Sequence, residues 1–272
     1  MENYICTTCG AQYPESDSPP AHCPICEDDR QYVGLNGQQW TTLAELRSRH
    51  HNIIREEEPG LAGIGTEPGF AIGQRALLVR APGGNVLWDC LSVIDGQAVK
   101  AVKEMGGISA LAISHPHFYT TMVEWSRLFG GAPIYLHADN REWVMRPDPA
   151  IRFWEGESLQ LQEGITLIRC GGHFPGSTVL HWAAGAEGRG ALLTGDTIMV
   201  VPDRRYVSFM YSFPNLVPLP AAQVRRVVKA VEPLTYDRIY GGWFDRVVFT
   251  DAKAAVARSA ERYIRAISAS TG

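Results

Sequence analysis

The sequence of 272 residues contains no long apolar run and no block of basic residues. A membrane-spanning helix needs about 20 consecutive, mainly apolar residues. A nucleic-acid surface is usually marked by clustered lysine and arginine. The charges nearly balance, since 25 basic and 29 acidic side chains give a net charge of −4. We therefore expect neither a membrane nor a nucleic acid as a partner.

The N-terminal residues lack the pattern of a secretory signal peptide. Met1 to Cys6 contain no basic segment followed by an apolar one. No internal repeat and no low-complexity tract is visible in the sequence. We expect a cytoplasmic location, where paired cysteines bind a metal more often than they form a disulfide.

Four of the six cysteines lie close to the N-terminus. Cys6 and Cys9 form one C-x-x-C pair, and Cys23 and Cys26 form a second. Each pair turns the backbone so that two thiolates face one centre, and two pairs complete a tetrahedral site. A segment this short cannot bury a sufficient core, so a metal would supply its folding energy. Two disulfides are the alternative, which a cytoplasmic location disfavours.

The cysteine segment resembles a zinc ribbon. It also resembles the rubredoxin-like module in which C-x-x-C-G and C-P-x-C hold iron, and tetrahedral thiolate geometry suits both metals. We favour a structural zinc, because the chain shows no site for an electron-transfer partner. Cys90 and Cys170 end predicted strands, and we interpret them as small buried apolar residues.

The sequence predicts three segments. A zinc-ribbon or rubredoxin-like module at 1–35 precedes a helical connector at 36–59 and a larger domain at 60–272. Thr42, with Glu45 three residues later, is typical of a helix start. In the larger domain a hairpin pattern precedes alternating helices and strands. This order is typical of an α/β fold in which two sheet layers pack together with helices outside.

Two histidines follow a predicted strand that ends at Ile113. Pro116 favours extended backbone at His115. In extended backbone, alternate side chains share a face. We therefore expect the imidazoles of His115 and His117 to converge on one ion.

Two further strand ends carry residues of metal-binding type. His173 follows Gly171 and Gly172, which permit unusual backbone angles. Asp196 follows Gly195 at the end of another predicted strand. Functional residues concentrate on loops of this kind. Three strand ends thus present three histidines and one aspartate.

In this order, the residues of 60–272 resemble the metallo-β-lactamase superfamily. His115 and His117 match the first two histidines of its HxHxDH motif. His173 matches the histidine of a GHTPGS-like loop, and Asp196 matches the aspartate of a Gly-Asp turn in glyoxalase II-like members. The resemblance implies a four-layer αβ/βα sandwich of the α/β class, with these four residues holding a metal.

Three positions depart from the family pattern. Tyr119 and Thr120 stand where the family has its Asp-His pair, and Trp243 stands where it has its last histidine. Indole has no lone pair for a metal, and threonine is a poor ligand. The departures imply one ion rather than two, and they argue against β-lactamase or glyoxalase II activity. Asp89 matches the family's early strand-end aspartate, which supports the metal ligands through hydrogen bonds.

These residues predict a metal-dependent hydrolase. A hydroxide on a single catalytic zinc would attack a small ester, lactone or related acyl substrate. The candidate catalytic residues are Asp196, as a ligand, and Tyr119, as a donor to the developing oxyanion. Packing is the alternative role for Tyr119. We expect Phe118, Tyr211 and Trp243 to line an apolar substrate pocket.

Two other functions remain open from the sequence. Two histidines with Asp196 could hold Fe²⁺, as in the persulfide dioxygenases of the superfamily, and iron is the alternative metal at either centre. The chain could also be a non-catalytic metal-binding protein with the ribbon as an interaction module. The expected partner is a small-molecule substrate, and homo-oligomer formation stays open.

Replacing Cys23 by serine should remove about one metal equivalent from the purified protein, because the tetrahedral site loses a thiolate. Elemental analysis beside the wild type measures the loss, with Cys170→Ser as a control that keeps the full metal content. An unchanged stoichiometry in Cys23→Ser would contradict a site on this cysteine. From the sequence alone, we expect the larger domain to be spared.

Overall fold

The computed structural model describes residues 1–268. By its contacts the chain divides into two compact units, Met1–Trp154 and Glu155–Gly272. Within the described residues, no helix is long and apolar enough to cross a membrane.

The first unit begins with a small antiparallel sheet. Its strands are β1 (Glu2–Cys6), β2 (Gln12–Ser16) and β3 (Trp40–Thr41), in the order β2-β1-β3. The one-turn helix α1 (Pro24–Glu27) carries the second cysteine pair. The third strand lies beyond the predicted ribbon, in the segment that we predict as a connector.

The predicted connector at 36–59 is only partly helical. Helix α2 (Leu43–Arg49) starts as predicted, since Thr42 and Glu45 form a capping box. The residues that follow form β4 (His51–Glu58), which pairs with its neighbour along its whole length. Its charged residues suit the exposed edge of a sheet. The prediction of a helical connector is therefore wrong for this stretch.

A seven-stranded sheet makes up the rest of the first unit. Its strands, from one edge to the other, are β10 (Ile151–Trp154), β9 (Ile134–His137), β8 (Ala110–Ala112), β7 (Val86–Trp88), β6 (Ala76–Val79), β5 (Leu61–Glu67) and β4. Strands β4 to β7 run antiparallel, and β7 to β10 run parallel. Helices α3 (Gly96–Glu104) and α4 (Met122–Leu128) provide two of the parallel crossovers.

The parallel part of this sheet fixes where the candidate residues lie. Asp89 follows β7, His115 follows β8 and His137 ends β9. Carboxyl ends of neighbouring parallel strands meet at one edge of a sheet, where α/β proteins commonly bind ligands. The sequence order of strands and loops thus brings Asp89 and the His115 loop to one edge.

The second unit contains a six-stranded sheet. Its order is β11 (Ser158–Gln162), β12 (Ile165–Arg169), β13 (Thr178–Trp182), β14 (Ala191–Gly195), β19 (Arg238–Gly241) and β20 (Val247–Val248). Only β14 and β19 pair in parallel among these described strands. Two short hairpins join β14 to the following helices: β15 (Met199–Val200) with β16 (Val207–Ser208), and β17 (Met210–Ser212) with β18 (Val217–Pro218).

Helices α6 (Ala221–Val231) and α7 (Ala252–Ser268) build the core of the second unit, after the distorted turn α5 (Gly185–Gly188). Helix α6 buries Val224, Val227 and Val231, whose helical spacing places them on one face. This face joins buried residues of the sheet and of α7 in one cluster. The sequence predicts helices at 220–231 and 252–267, and both are confirmed to within one residue.

Candidate metal centres

The four N-terminal cysteines form one buried cluster. Their sulfur atoms all lie within 4.8 Å of one another. Cys6 Sγ lies 3.5 Å from Cys26 Sγ, and Cys9 Sγ lies 3.6 Å from Cys23 Sγ. Sulfurs at the corners of a tetrahedron around zinc, at about 2.3 Å from the ion, are about 3.8 Å apart. All four are free thiols, so the cluster fits a tetrahedral metal.

Backbone turns place these sulfurs. The N–H of Gly10 donates to the Cys6 carbonyl at 2.9 Å, with Gly10 at φ +81°, a left-handed conformation that suits glycine. The N–H of Cys26 donates to the Cys23 carbonyl at 2.9 Å. Gln38 donates from Nε2 to Cys6 Sγ at 3.1 Å. This last bond could not be predicted from the sequence, because Gln38 lies outside the motif.

Charge explains why the cluster suits a cation. Hydrogen bonds among the sulfurs lower the pKa of the Cys6 and Cys23 thiols and raise the pKa of the Cys9 and Cys26 thiols. The four sulfurs therefore cannot all ionise beside one another without a positive charge between them. A thiolate-binding ion such as zinc or iron supplies that charge.

The His115 loop presents two imidazoles by a route that differs from the predicted one. His115 has extended backbone, as Pro116 predicts, but Pro116–Phe118 form a 3-10 turn. The ring centroids of His115 and His117 lie 5.3 Å apart, and their ring nitrogens come within 4.8 Å. The imidazoles converge as expected. The prediction that His115 and His117 share a face of extended backbone is nevertheless wrong, because the extended backbone stops at His115.

A chain of hydrogen bonds supports His115. Asp89 Oδ1 accepts the backbone N–H of Ser114 at 2.8 Å, and Ser114 Oγ lies 2.9 Å from His115 Nδ1. Burial raises the pKa of Asp89 to about 7, although the Ser114 N–H acts in the opposite direction. Asp89 therefore holds Ser114, the residue that contacts His115. Ser114 was missed, and its position directly before His115 was the available signal.

In the second unit, His173 stands on a tightly turned loop. Gly171 and Gly172 have φ values of +67° and +89°. The backbone N–H of Phe174 donates to Ser177 Oγ at 2.8 Å, which closes the loop. His173 Nδ1 lies 2.8 Å from the carbonyl oxygen of Tyr211. Because a carbonyl can only accept, Nδ1 carries the proton and Nε2 keeps its lone pair.

Asp196 lies in a tight turn after β14 and is buried. The N–H of Thr197 donates to the Thr194 carbonyl at 3.0 Å across this turn. The N–H of Gly242 donates to the Gly195 carbonyl at 2.9 Å. This bond joins the turn to the loop that carries Trp243, the residue at the position of the family's last histidine.

The predicted pocket residues differ in exposure. Tyr211 and Trp243 are half-buried, in the second unit. Phe118 is fully buried, and its ring centroid lies 4.5 Å from that of His115. Phe118 therefore packs against His115 from the core and does not present a surface to a substrate.

Tyr119 is also buried, at 3% exposure. Burial raises the pKa of its phenol, and the nearby Asn140 side chain lowers the pKa by less. Tyr119 lines a small cavity together with Ala11 and Gln12 of the ribbon. This surrounding agrees better with the packing role than with a proton donor open to substrate.

Comparison with known proteins shows the family of this chain. The profile of the "Metallo-beta-lactamase superfamily" matches residues 71–243. A protein of Bacillus subtilis (strain 168), named "Uncharacterized protein YmaE", is 51% identical over 269 residues, which cover 98% of this chain and 97% of that protein.

Solved structures share the fold at low sequence identity. VMB-1 is similar with a TM-score of 0.61 and 11% identity, over 80% of this chain and 99% of that chain. The DIM-1 metallo-beta-lactamase gives a TM-score of 0.60 and 13% identity, over 80% and 99%. FIM-1 from Pseudomonas aeruginosa, in its mono-zinc form, gives 0.57 and 17%, over 78% and 95%. The α/β fold expected from the sequence is thereby confirmed.

Tyr119→Phe should retain both metals and change kcat by less than about threefold, because the buried hydroxyl has a packing surrounding. Metal content and kcat are measured on the same preparation, once a turned-over substrate is in hand. Tyr135→Phe, a half-buried phenol on β9, is the matched control. A fall of about 10²–10³ in kcat, the usual effect of losing an oxyanion donor, would restore the catalytic role.

Proposed function

We propose that this chain, which belongs to the metallo-beta-lactamase superfamily, is a metal-dependent hydrolase of a small ester, lactone or related acyl compound. In this proposal His115, His117, His173 and Asp196 hold one catalytic ion, and the four cysteines hold a second, structural one. Zinc is the proposed metal at both centres. The match to the family profile covers all four proposed ligands of the catalytic ion.

One observation carries the proposal. The carbonyl of Tyr211 fixes the proton of His173 on Nδ1 and leaves Nε2 as a lone-pair donor. A carboxylate or carbonyl behind a metal-binding histidine is the usual arrangement, because it sets the tautomer and the ring orientation.

The other proposed ligands have similar support. Ser114 contacts Nδ1 of His115, and its hydroxyl can accept that proton. Asp196 is buried at 4% exposure and supplies the negative charge of the set. Three neutral nitrogens and one carboxylate are a donor set that zinc accepts. When bound, such an ion polarises an acyl group and makes a water nucleophilic near neutral pH.

The residues of this chain would then orient and enclose the substrate. Tyr211 and Trp243 are half-buried aromatic side chains on loops that also carry or adjoin proposed ligands. The ring centroids of Phe213 and His173 lie 5.7 Å apart. An apolar lining with few polar groups suits a small organic substrate.

His117→Ala and Asp196→Ala should each lose the catalytic ion and reduce hydrolysis by more than about 100-fold, since even outer residues of metal sites typically contribute 10–100-fold. The ribbon ion should remain. Metal content and turnover of an ester and lactone panel are measured together. His181→Ala is the control, because His181 also contacts a backbone carbonyl, that of Thr235, but is not a proposed ligand.

The panel also separates the other functions. Oxygen uptake with persulfide, together with bound iron, would replace the hydrolase by a dioxygenase. Full metal occupancy without turnover of any panel compound would favour a non-catalytic metal-binding protein. Equal activity in His117→Ala and wild type would remove His117 from the site.

The catalytic centre should bind one ion, because Tyr119, Thr120 and Trp243 occupy the positions of the second set of ligands. Crystals soaked in excess zinc should show one strong anomalous peak beside His115, apart from the ribbon peak. A second peak about 3.5–4 Å away, the spacing of two-metal sites, would contradict this prediction.

A further inference from the structure

The turn after the histidine motif holds a strained residue. Thr120 has φ +37°, in the left-handed region, and is buried. A β-branched residue rarely adopts this conformation, and it persists only where the surroundings impose it. Tyr119 joins this turn to the 3-10 turn that contains His117, through an N–H bond to the Pro116 carbonyl at 3.2 Å. The conformation of Thr120 thus bears directly on the ligand loop.

The ribbon supplies the surroundings that hold this turn. The backbone N–H of Gln12 donates to the Thr120 carbonyl at 3.2 Å. Ser92 Oγ donates to the Gly10 carbonyl at 3.0 Å, and Thr121 Oγ1 donates to the Leu91 carbonyl at 2.6 Å. A Cβ on Gly10 would lie 2.4 Å from Ser92 Oγ, so this close approach requires glycine. The residue next to Cys9 is therefore packed against the strand-end loop that Asp89 begins.

A buried arginine makes a second link. Arg146 donates from Nη1 to Gln12 Oε1, and also to Glu124 Oε1 at 2.6 Å. Gln12 begins β2 of the ribbon, and Glu124 lies on α4, directly after the strained turn. Trp143 and Met145, just before Arg146, pack against the cysteine cluster. The remaining cavity between ribbon and turn has a volume of only about 10 Å³, close to the size of one water.

We propose that the ribbon positions the histidine loop, and that the ribbon ion and the catalytic ion therefore bind with positive coupling. The ribbon ion fixes Cys9, Cys9 fixes the Gly10–Gln12 segment, and that segment fixes Thr120. Tyr119 and Thr120 stand where the family pattern has ligands of a second catalytic ion, which would fix this turn. In this chain the ribbon fixes the turn instead. The coupling depends on the histidine site of the proposed function.

Coupling between two binding sites is reciprocal, and typical values correspond to factors of about 5–150 in affinity. Loss of the ribbon ion should therefore lower the affinity for the catalytic ion by a factor in this range, although all ligands of the catalytic ion are intact. This expectation replaces the one from the sequence alone, in which the larger domain is spared when Cys23 is lost. All of these contacts lie within Met1–Trp154.

Cobalt titration of the full chain tests the coupling without any substrate. Cobalt on four thiolates shows intense charge-transfer bands, whereas cobalt on histidines and a carboxylate shows only weak visible bands, so the two sites are read separately. The linking variant is Ser92→Ala with Arg146→Met, which keeps every metal ligand. It should retain the thiolate bands and bind the second cobalt at least fivefold more weakly than wild type.

The matched control is Ser259→Ala with Arg127→Met. Ser259 is a buried hydroxyl that accepts the Val207 N–H at 2.9 Å, and Arg127 pairs with Asp148 at 2.9 Å. The control should keep wild-type affinity for both ions. Ser92→Ala with Arg146→Lys, which restores the positive charge, should recover part of the affinity for the second cobalt. A linking variant within twofold of the control would overturn the proposal.

Two further measurements complete the test. Cys23→Ser should weaken the second cobalt by the same order as the linking variant, and His117→Ala should weaken the ribbon cobalt by a similar factor, because coupling is reciprocal. If wild type binds cobalt only on thiolates, the proposed histidine site fails. In that case, amide hydrogen exchange of residues 113–124 tests whether the ribbon positions the turn. Faster exchange in the linking variant than in the control would support the proposal. Equal exchange would overturn it.

Discussion

Four buried sulfur atoms lie within 4.8 Å of one another, and as thiolates they would repel one another unless a cation lay between them. Two backbone turns converge on this point. A cation there would give a segment with few core residues a fixed shape. The same point fixes the residues after Cys9, which contact Thr120 through Gln12. A cation at this point would thus influence both the ribbon and the loop that carries His115.

Local features could be predicted from the sequence because their causes are local. Strands β12 and β13 lie at the residues where β-branched and apolar runs indicate them. Helix α2 starts at its capping box, since both partners lie within three residues. The glycines before His173 have the left-handed angles that their type allows. The spacing of the cysteines was sufficient to predict one cluster.

Features that depend on distant partners could not be predicted. Nothing in the residues of β4 says that they pair with β5, and the segment was interpreted as a connector. The left-handed backbone of Thr120 could not be predicted, because its carbonyl is bound by Gln12, more than a hundred positions away. His117 takes its direction from a 3-10 turn that the alternation rule does not describe. The burial of Tyr119 likewise depends on Gln12 and Arg146, which lie far from it in sequence.

The partner of His173 is a main-chain carbonyl, and the side chain of Tyr211 takes no part in that bond. A substitution at position 211 therefore changes the half-buried surface next to the ligand and leaves the tautomer of the histidine intact. The side chain of residue 211 contributes to the surface, whereas its carbonyl oxygen orients His173. In the proposed function, a substitution at position 211 would change what the substrate contacts and would keep the orientation of His173.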